Sequence, residues 1–101
     1  MFIINTTFAA EKTLASEVKL WCSATYADAA EAFGFTDVSV CRIISFDETV
    51  DAESFAVRMQ CADTRLIDQW FNSTGNSLLN ECQNKWNGRV LPFTTYMIRV
   101  R

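Results

Sequence analysis

An α+β domain with the element order β-α-β-β-α-β is the fold class this sequence predicts, and three observations predict it. Four stretches are rich in β-branched and aromatic residues, and one of them, residues 55–61, alternates cleanly with a period of two. Two longer stretches between them repeat their apolar residues at three- and four-residue steps, the period of an amphipathic helix. The chain has 101 residues, half of them hydrophobic, with three Gly and one Pro. That is length for a single domain spanning 1–101, with little material for linkers or disorder.

Residues 2–8 combine Phe, Ile and Thr, which suit a pleated, half-buried surface, and form the first strand. From Glu11 the period changes. Leu14, Val18, Trp21, Cys22, Tyr26, Ala29 and Phe33 make one helical stripe, with Glu11 in the first turn, where the helix dipole favours an anion. Gly34 supplies the left-handed residue that stops the helix, and the weak helix-forming run 22–26 marks where it would break. Residues 38–46 read as the second strand. In the third, Phe55, Val57, Met59 and Cys61 alternate with Ala56, Arg58 and Gln60.

Between these strands, residues 47–53 form an acidic hairpin loop. It lacks the glycine that an EF-hand turn requires, so it is no calcium loop. Its Asp47/Glu48 and Asp51/Glu53 pairs lie in water, where carboxylates keep ordinary acidity and are poor acid–base catalysts. Asp63 or Thr64 caps the second helical stretch, whose stripe is Leu66, Ile67, Trp70, Phe71, Leu78, Cys82 and Trp86. Residues 73–77 interrupt it as a kink or a gap. Asn87-Gly88 closes it, and residues 90–100 form the last strand, with Pro92 near its start.

This order, with right-handed crossovers, places both helices on one face of a four-stranded antiparallel sheet, the ferredoxin-like arrangement. Several strands are apolar on both parities: Ile3 beside Phe2 and Ile4, Ile43 beside Ile44, Phe93 and Met97 beside Tyr96 and Ile98. Such a sheet needs cover on both faces. A homodimer closed through the open sheet face, a dimeric α+β barrel, is the simplest cover.

The net charge of −3 and the pI near 4.8 argue against phosphate-contacting nucleic-acid partners and against docking on anionic membranes. RNA-recognition domains share the topology, but the third strand here carries a single aromatic, Phe55. No basic segment precedes a long apolar one near Met1, and no run approaches the roughly 20 apolar residues of a membrane span. A cytoplasmic location is the expectation. Cys22, Cys41, Cys61 and Cys82 are singly spaced and read as buried thiols of a reducing compartment. Arg42 follows Cys41 but points to the opposite face, so it does little to activate that thiol. The chain has no histidine, which removes the commonest general base, most zinc sites and the usual haem ligand. Neither a metal nor a cofactor is expected.

The segments Asn5-Thr6-Thr7-Phe8, Cys41-Arg42-Ile43, Phe55-Ala56-Val57 and Pro92-Phe93-Thr94-Thr95-Tyr96-Met97 resemble a family of small bacterial proteins without assigned function. That resemblance spans nearly the whole chain and implies a dimeric α+β barrel. A second resemblance, to antibiotic-biosynthesis and haem-degrading monooxygenases, rests on Asn5 in the first strand and on Trp70-Phe71-Asn72-Ser73 in the second helical stretch. It implies a pocket between sheet and helices with Asn5 and Trp70 in its wall. Where the haem-degrading members carry a histidine ligand, this chain has Asn80, which cannot hold haem iron in its place.

Five residues are therefore candidates for a ligand site: Asn5, Thr7, Trp70, Arg42 and Arg58. Asn5 and Thr7 are polar within an apolar strand and must find partners if buried. Arg42 and Arg58 sit on the two strands of one hairpin and could converge on an anion, or pair with acids of a partner subunit. Two readings of function follow. One is a homodimeric barrel that binds a small molecule or partner without known catalysis. The other is a cofactor-independent monooxygenase-like enzyme.

Overall fold

Phe2–Glu11 is the first strand, β1, and from Ile4 on its burial alternates, with Ile3 buried as well. Ile4, Thr6, Phe8 and Ala10 are buried on one face, while Asn5, Thr7 and Ala9 are half-buried on the other. The computed structural model describes residues 1–47 and 49–101. Glu48, one of the acidic-loop carboxylates, lies outside the described residues.

A 3₁₀ turn, Lys12–Leu14, leads into α1, Ala15–Trp21, then a π-helical segment, Cys22–Tyr26, and α2, Ala27–Phe33. The weak run 22–26 widens the helix instead of breaking it. Both ends of the widened turn, Cys22 and Tyr26, are thereby buried. Gly34 takes φ 121°, a conformation that side chains resist, so that its N–H and that of Phe35 return to the carbonyls of Glu31 and Ala30, both at 3.1 Å.

The second strand, β2, is Thr36–Arg42 and not 38–46. It starts earlier because Asp37, at φ 50°, sits in a bulge between Thr36 and Ser39. It ends earlier because Ile44 and Phe46 are exposed and pack on nothing that would hold them in a ladder. The third strand, β3, is Ala52–Cys61. Asp63 caps α3, Thr64–Phe71, its carboxylate accepting from Arg65 N–H at 2.9 Å and from the Arg65 guanidinium at 2.6 Å. These donors hold the Asp63 carboxyl below its ordinary range.

The second helical stretch breaks at Asn72 and Ser73, and α4 runs Thr74–Trp86, so Gly75 lies within a helix and not within a gap. The cause is steric. A Cβ on Gly75 would collide with Nε1 of Trp70, a rigid and fully buried indole. Gly→Ala inside a helix normally stabilises by about 0.5–1 kcal/mol. Gly75→Ala should instead destabilise by about 1–3 kcal/mol through overpacking, seen as a lowered urea midpoint. An unchanged or raised midpoint would show that the indole can yield. Asn87 at φ 52° and Gly88 at φ 78° close α4 ahead of the last strand, β4, Val90–Ile98.

The sheet order is β2-β3-β1-β4, with every neighbouring pair antiparallel. Together with the helices on one face, this is the ferredoxin-like α+β fold the sequence predicts. Between sheet and helices runs a chain of edge-to-face aromatic contacts, Trp86–Trp21–Phe8–Tyr26–Trp70, with centroid separations of 5.6, 5.4, 5.2 and 5.6 Å. Phe33 and Phe35 extend it past Trp70. The molecule is 18 Å in its thinnest dimension, room for one sheet and one helical layer. The second face of the sheet is bare.

Candidate functional site

Strand register assigns every candidate residue to a face, because directly opposed residues of antiparallel strands point the same way. Asn5 is opposite Arg58 on β3 and Thr95 on β4, and Arg58 is opposite Ser39 on β2. Ser39, Arg58, Asn5 and Thr95 thus form a polar row across all four strands of the bare face. Thr7 lies on the same face one step along, between Ala56 and Phe93, and its hydroxyl accepts from Asn5 Nδ2 at 3.2 Å. Around this row the face is apolar: Leu91 is 50% exposed, Phe93 60% and Met97 40%, with Ile3 and Ile43 on the same parity.

The other two candidates lie elsewhere. Arg42 is opposite Phe55, a core residue, and so turns toward the helices. It pairs with Glu53 at 3.2 Å beside Ala15 and Lys19. Arg42 and Arg58 therefore occupy opposite faces and do not converge, which alternation along the two strands would have shown once the bulge at Asp37 was known. Trp70 is fully buried in the aromatic chain, on the far side of the sheet from Asn5. A pocket wall containing both residues is not what this fold builds.

The interior does hold polar atoms that a filled core seldom keeps. Among the described residues Trp21 Nε1, Tyr26 Oη and Trp70 Nε1 are buried without a hydrogen-bond partner, while the Thr6 and Thr94 hydroxyls bond each other at 3.0 Å. Burial pushes the Tyr26 hydroxyl up, and nearby Thr6 and Trp70 oppose that rise without reaching bonding geometry. Between α3 and the β4 edge lies a groove of about 520 Å³, lined by Ile67, Phe71, Asn72 and Tyr96 and also by Ile3 and Met97 of the bare-face parity. Neither Asn5 nor Trp70 lines it.

A family profile described as a domain of unknown function, DUF4286, matches residues 1–100. The chain belongs to this family. No curated protein matches it. Among solved structures, one similar chain is a proposed antibiotic biosynthesis monooxygenase from Deinococcus radiodurans. It has a TM-score of 0.73 at 16% identity, over 100% of this chain and 94% of that one. A second is a dimeric ferredoxin-like protein from an uncultured marine organism, with a TM-score of 0.61 at 10% identity over 99% and 96%. A third is the de novo designed protein Foldit4, with a TM-score of 0.62 at 9% identity over 97% of each chain. At such identities the likeness is one of fold. The DUF4286 chain shares its backbone with a natural enzyme candidate and with a design alike, so the fold does not choose a function.

The thiols of this family member separate by environment. Burial raises Cys22 from an ordinary 9.0 to about 12 and Cys82 to about 11, and it raises Cys61 as well, whereas Cys41 is exposed on the bare face. Titration with a thiol reagent at pH 8 should label about one of the four cysteines in the native protein and all four after unfolding. Labelling of Cys22 or Cys82 in the native protein would show that the core opens. Among the described residues no helix is long and apolar enough to cross a membrane.

Proposed function

We propose that the chain works as a homodimeric α+β barrel, in which two single ferredoxin-like domains cover each other's bare sheet faces and enclose a small-molecule site. The observation that carries this reading is the bare face itself, with Leu91, Phe93 and Met97 exposed around a polar row. Four strands at roughly 4.8 Å spacing and up to ten residues long give a face of several hundred Å². That approaches the roughly 800 Å² that each partner contributes to a standard interface. The marine ferredoxin-like relative in fold is itself described as dimeric.

The test is the mass of the native particle. Wild-type protein should run as a dimer in native mass spectrometry and in light scattering, and Phe93→Glu should run as a monomer with an unchanged circular dichroism spectrum. Phe93 is exposed in the isolated chain, so its substitution leaves the fold intact. A wild-type monomer at every concentration would overturn the reading.

A cofactor-independent monooxygenase-like activity is the alternative, and the 520 Å³ groove beside Tyr96 is the observation that favours it. In that case substrate would sit between α3 and the β4 edge, with the Tyr96 hydroxyl and Asn72 as its polar contacts. Substrate-dependent oxygen uptake that Ile67→Trp abolishes would support this alternative. No uptake across a panel of phenolic substrates would remove it.

A further inference from the structure

We propose that the polar row of the bare face is a binding site for a small carboxylate with an apolar body, held by the Arg58 guanidinium between Ser39 and Asn5 and reached by Thr95. This rests on the homodimer proposed above.

The argument starts from symmetry. When a face is covered by the same face of a second copy, each residue can meet only what that face already carries. Arg58 has no carboxylate within ion-pair distance in its own chain among the described residues, where the three pairs are Arg42–Glu53, Arg65–Asp63 and Arg89–Glu11. The positions that share its face are odd-numbered from Ile3 to Ala9 and from Leu91 to Met97, even-numbered from Ala52 to Gln60, and Ser39 and Cys41 on β2. None of them is Asp or Glu.

Among the described residues, two acids stand at the ends of the strands that build this face, and both are engaged. Asp37, in the β2 bulge, accepts from Gln60 Nε2 at 3.0 Å. Glu11, at the far end of β1, accepts from Arg89 Nη2 at 3.0 Å. Among the described residues, the strands of a covering copy therefore bring a second Arg58 and no free counter-charge. A guanidinium taken out of water without a partner is strongly unfavourable, and the missing charge has to come from a bound anion.

The surroundings say which anion. A guanidinium fork matches the two oxygens of a carboxylate, and directly opposed strand residues stand about 5 Å apart, close enough for the Asn5 amide and the Thr95 hydroxyl to donate to the same group. Beyond this row the exposed walls are Phe93, Leu91 and Met97. They would receive a hydrocarbon or aromatic body and give little to a bare inorganic ion.

Benzoate is the probe, benzamide its neutral isostere and inorganic phosphate the anion without a body. Calorimetry and thermal unfolding of the full chain, with native mass spectra of the same samples, should show benzoate bound to the dimer at least 10-fold more tightly than benzamide or phosphate. Arg58→Gln should erase that preference while remaining folded. A dimer that binds benzoate and benzamide alike, or an Arg58→Gln variant with undiminished benzoate affinity, overturns the carboxylate site and leaves the dimer standing. Phosphate binding as tightly as benzoate overturns the apolar body. Dissociation of the dimer by Asp37→Asn, as complete as that by Phe93→Glu, would show that the partner's carboxylate meets Arg58 and would overturn the ligand. A monomeric wild type overturns the dimer first and the site with it.

Discussion

Trp70→Ala should lower the free energy of unfolding by about 3–5 kcal/mol, the usual cost of emptying a large aromatic site. Asn5→Ala should lower it by about 0.5–1.5 kcal/mol, the net worth of one hydrogen bond. Trp70 is fully buried, touches Tyr26, Phe33 and Phe35 edge-to-face, and leaves Gly75 no room for a Cβ. The chain around it has little means of collapsing into the space, which places the cost at the upper end of its range. Domains of this size have roughly 5–15 kcal/mol of stability in all, so Trp70→Ala should remove a large share of it. Asn5 is half-buried and keeps one bond, to Thr7. Urea unfolding followed by circular dichroism separates the two. Equal losses would place Asn5 in the core and undo its assignment to the bare face.

That contrast also marks how far the sequence could be read. Strand and helix periods were legible because each element buries one face: Phe55, Val57, Met59 and Cys61 are all buried, and the residues between them are not. The caps were legible too, since Asp63, Gly34 and Asn87 act through their own local geometry. What could not be read was the face each strand gives to the helices. A one-residue bulge decides it for β2, and the bulge depends on Asp37 adopting a positive φ, which an Asp tolerates but does not announce. Sequence spacing alone therefore pairs Arg42 with Arg58, although Arg42 faces the helices. The likeness to monooxygenases implies Trp70 and Asn5 in one pocket wall, yet parity along β1 places Asn5 with Thr7 and away from Thr6, the residue that approaches Tyr26. Gly75 hides its role in another way: as a poor helix former it signals a kink or a gap, while its use is to admit an indole.

Stability should decline steeply above about pH 9, and the buried thiols set the direction. Cys22 is raised to about 12 and Cys82 to about 11, in both cases chiefly by burial, and each thiolate would repel a neighbouring charge: Cys22 that of Cys82, Cys82 that of Glu81. In the unfolded chain these thiols lose their protons near the ordinary 9.0. Between about 9 and 12 the native state therefore holds more protons than the unfolded state, so unfolding releases protons and raising the pH favours it. This contribution is fully present below 9 and is lost progressively through the alkaline window, at about 1.4 kcal/mol per pH unit for each group in transit. Tyr26, raised by burial as well, adds to the loss at the top of that window. Urea midpoints measured in reductant at pH 7, 8.5, 9.5 and 10.5 should stay level over the first interval and fall thereafter. Cys22→Ala should start lower, from its lost packing, yet fall less steeply with pH. An identical slope in both proteins would mean that the Cys22 thiol is not held protonated by the fold and that water reaches the helix-side core near the π segment.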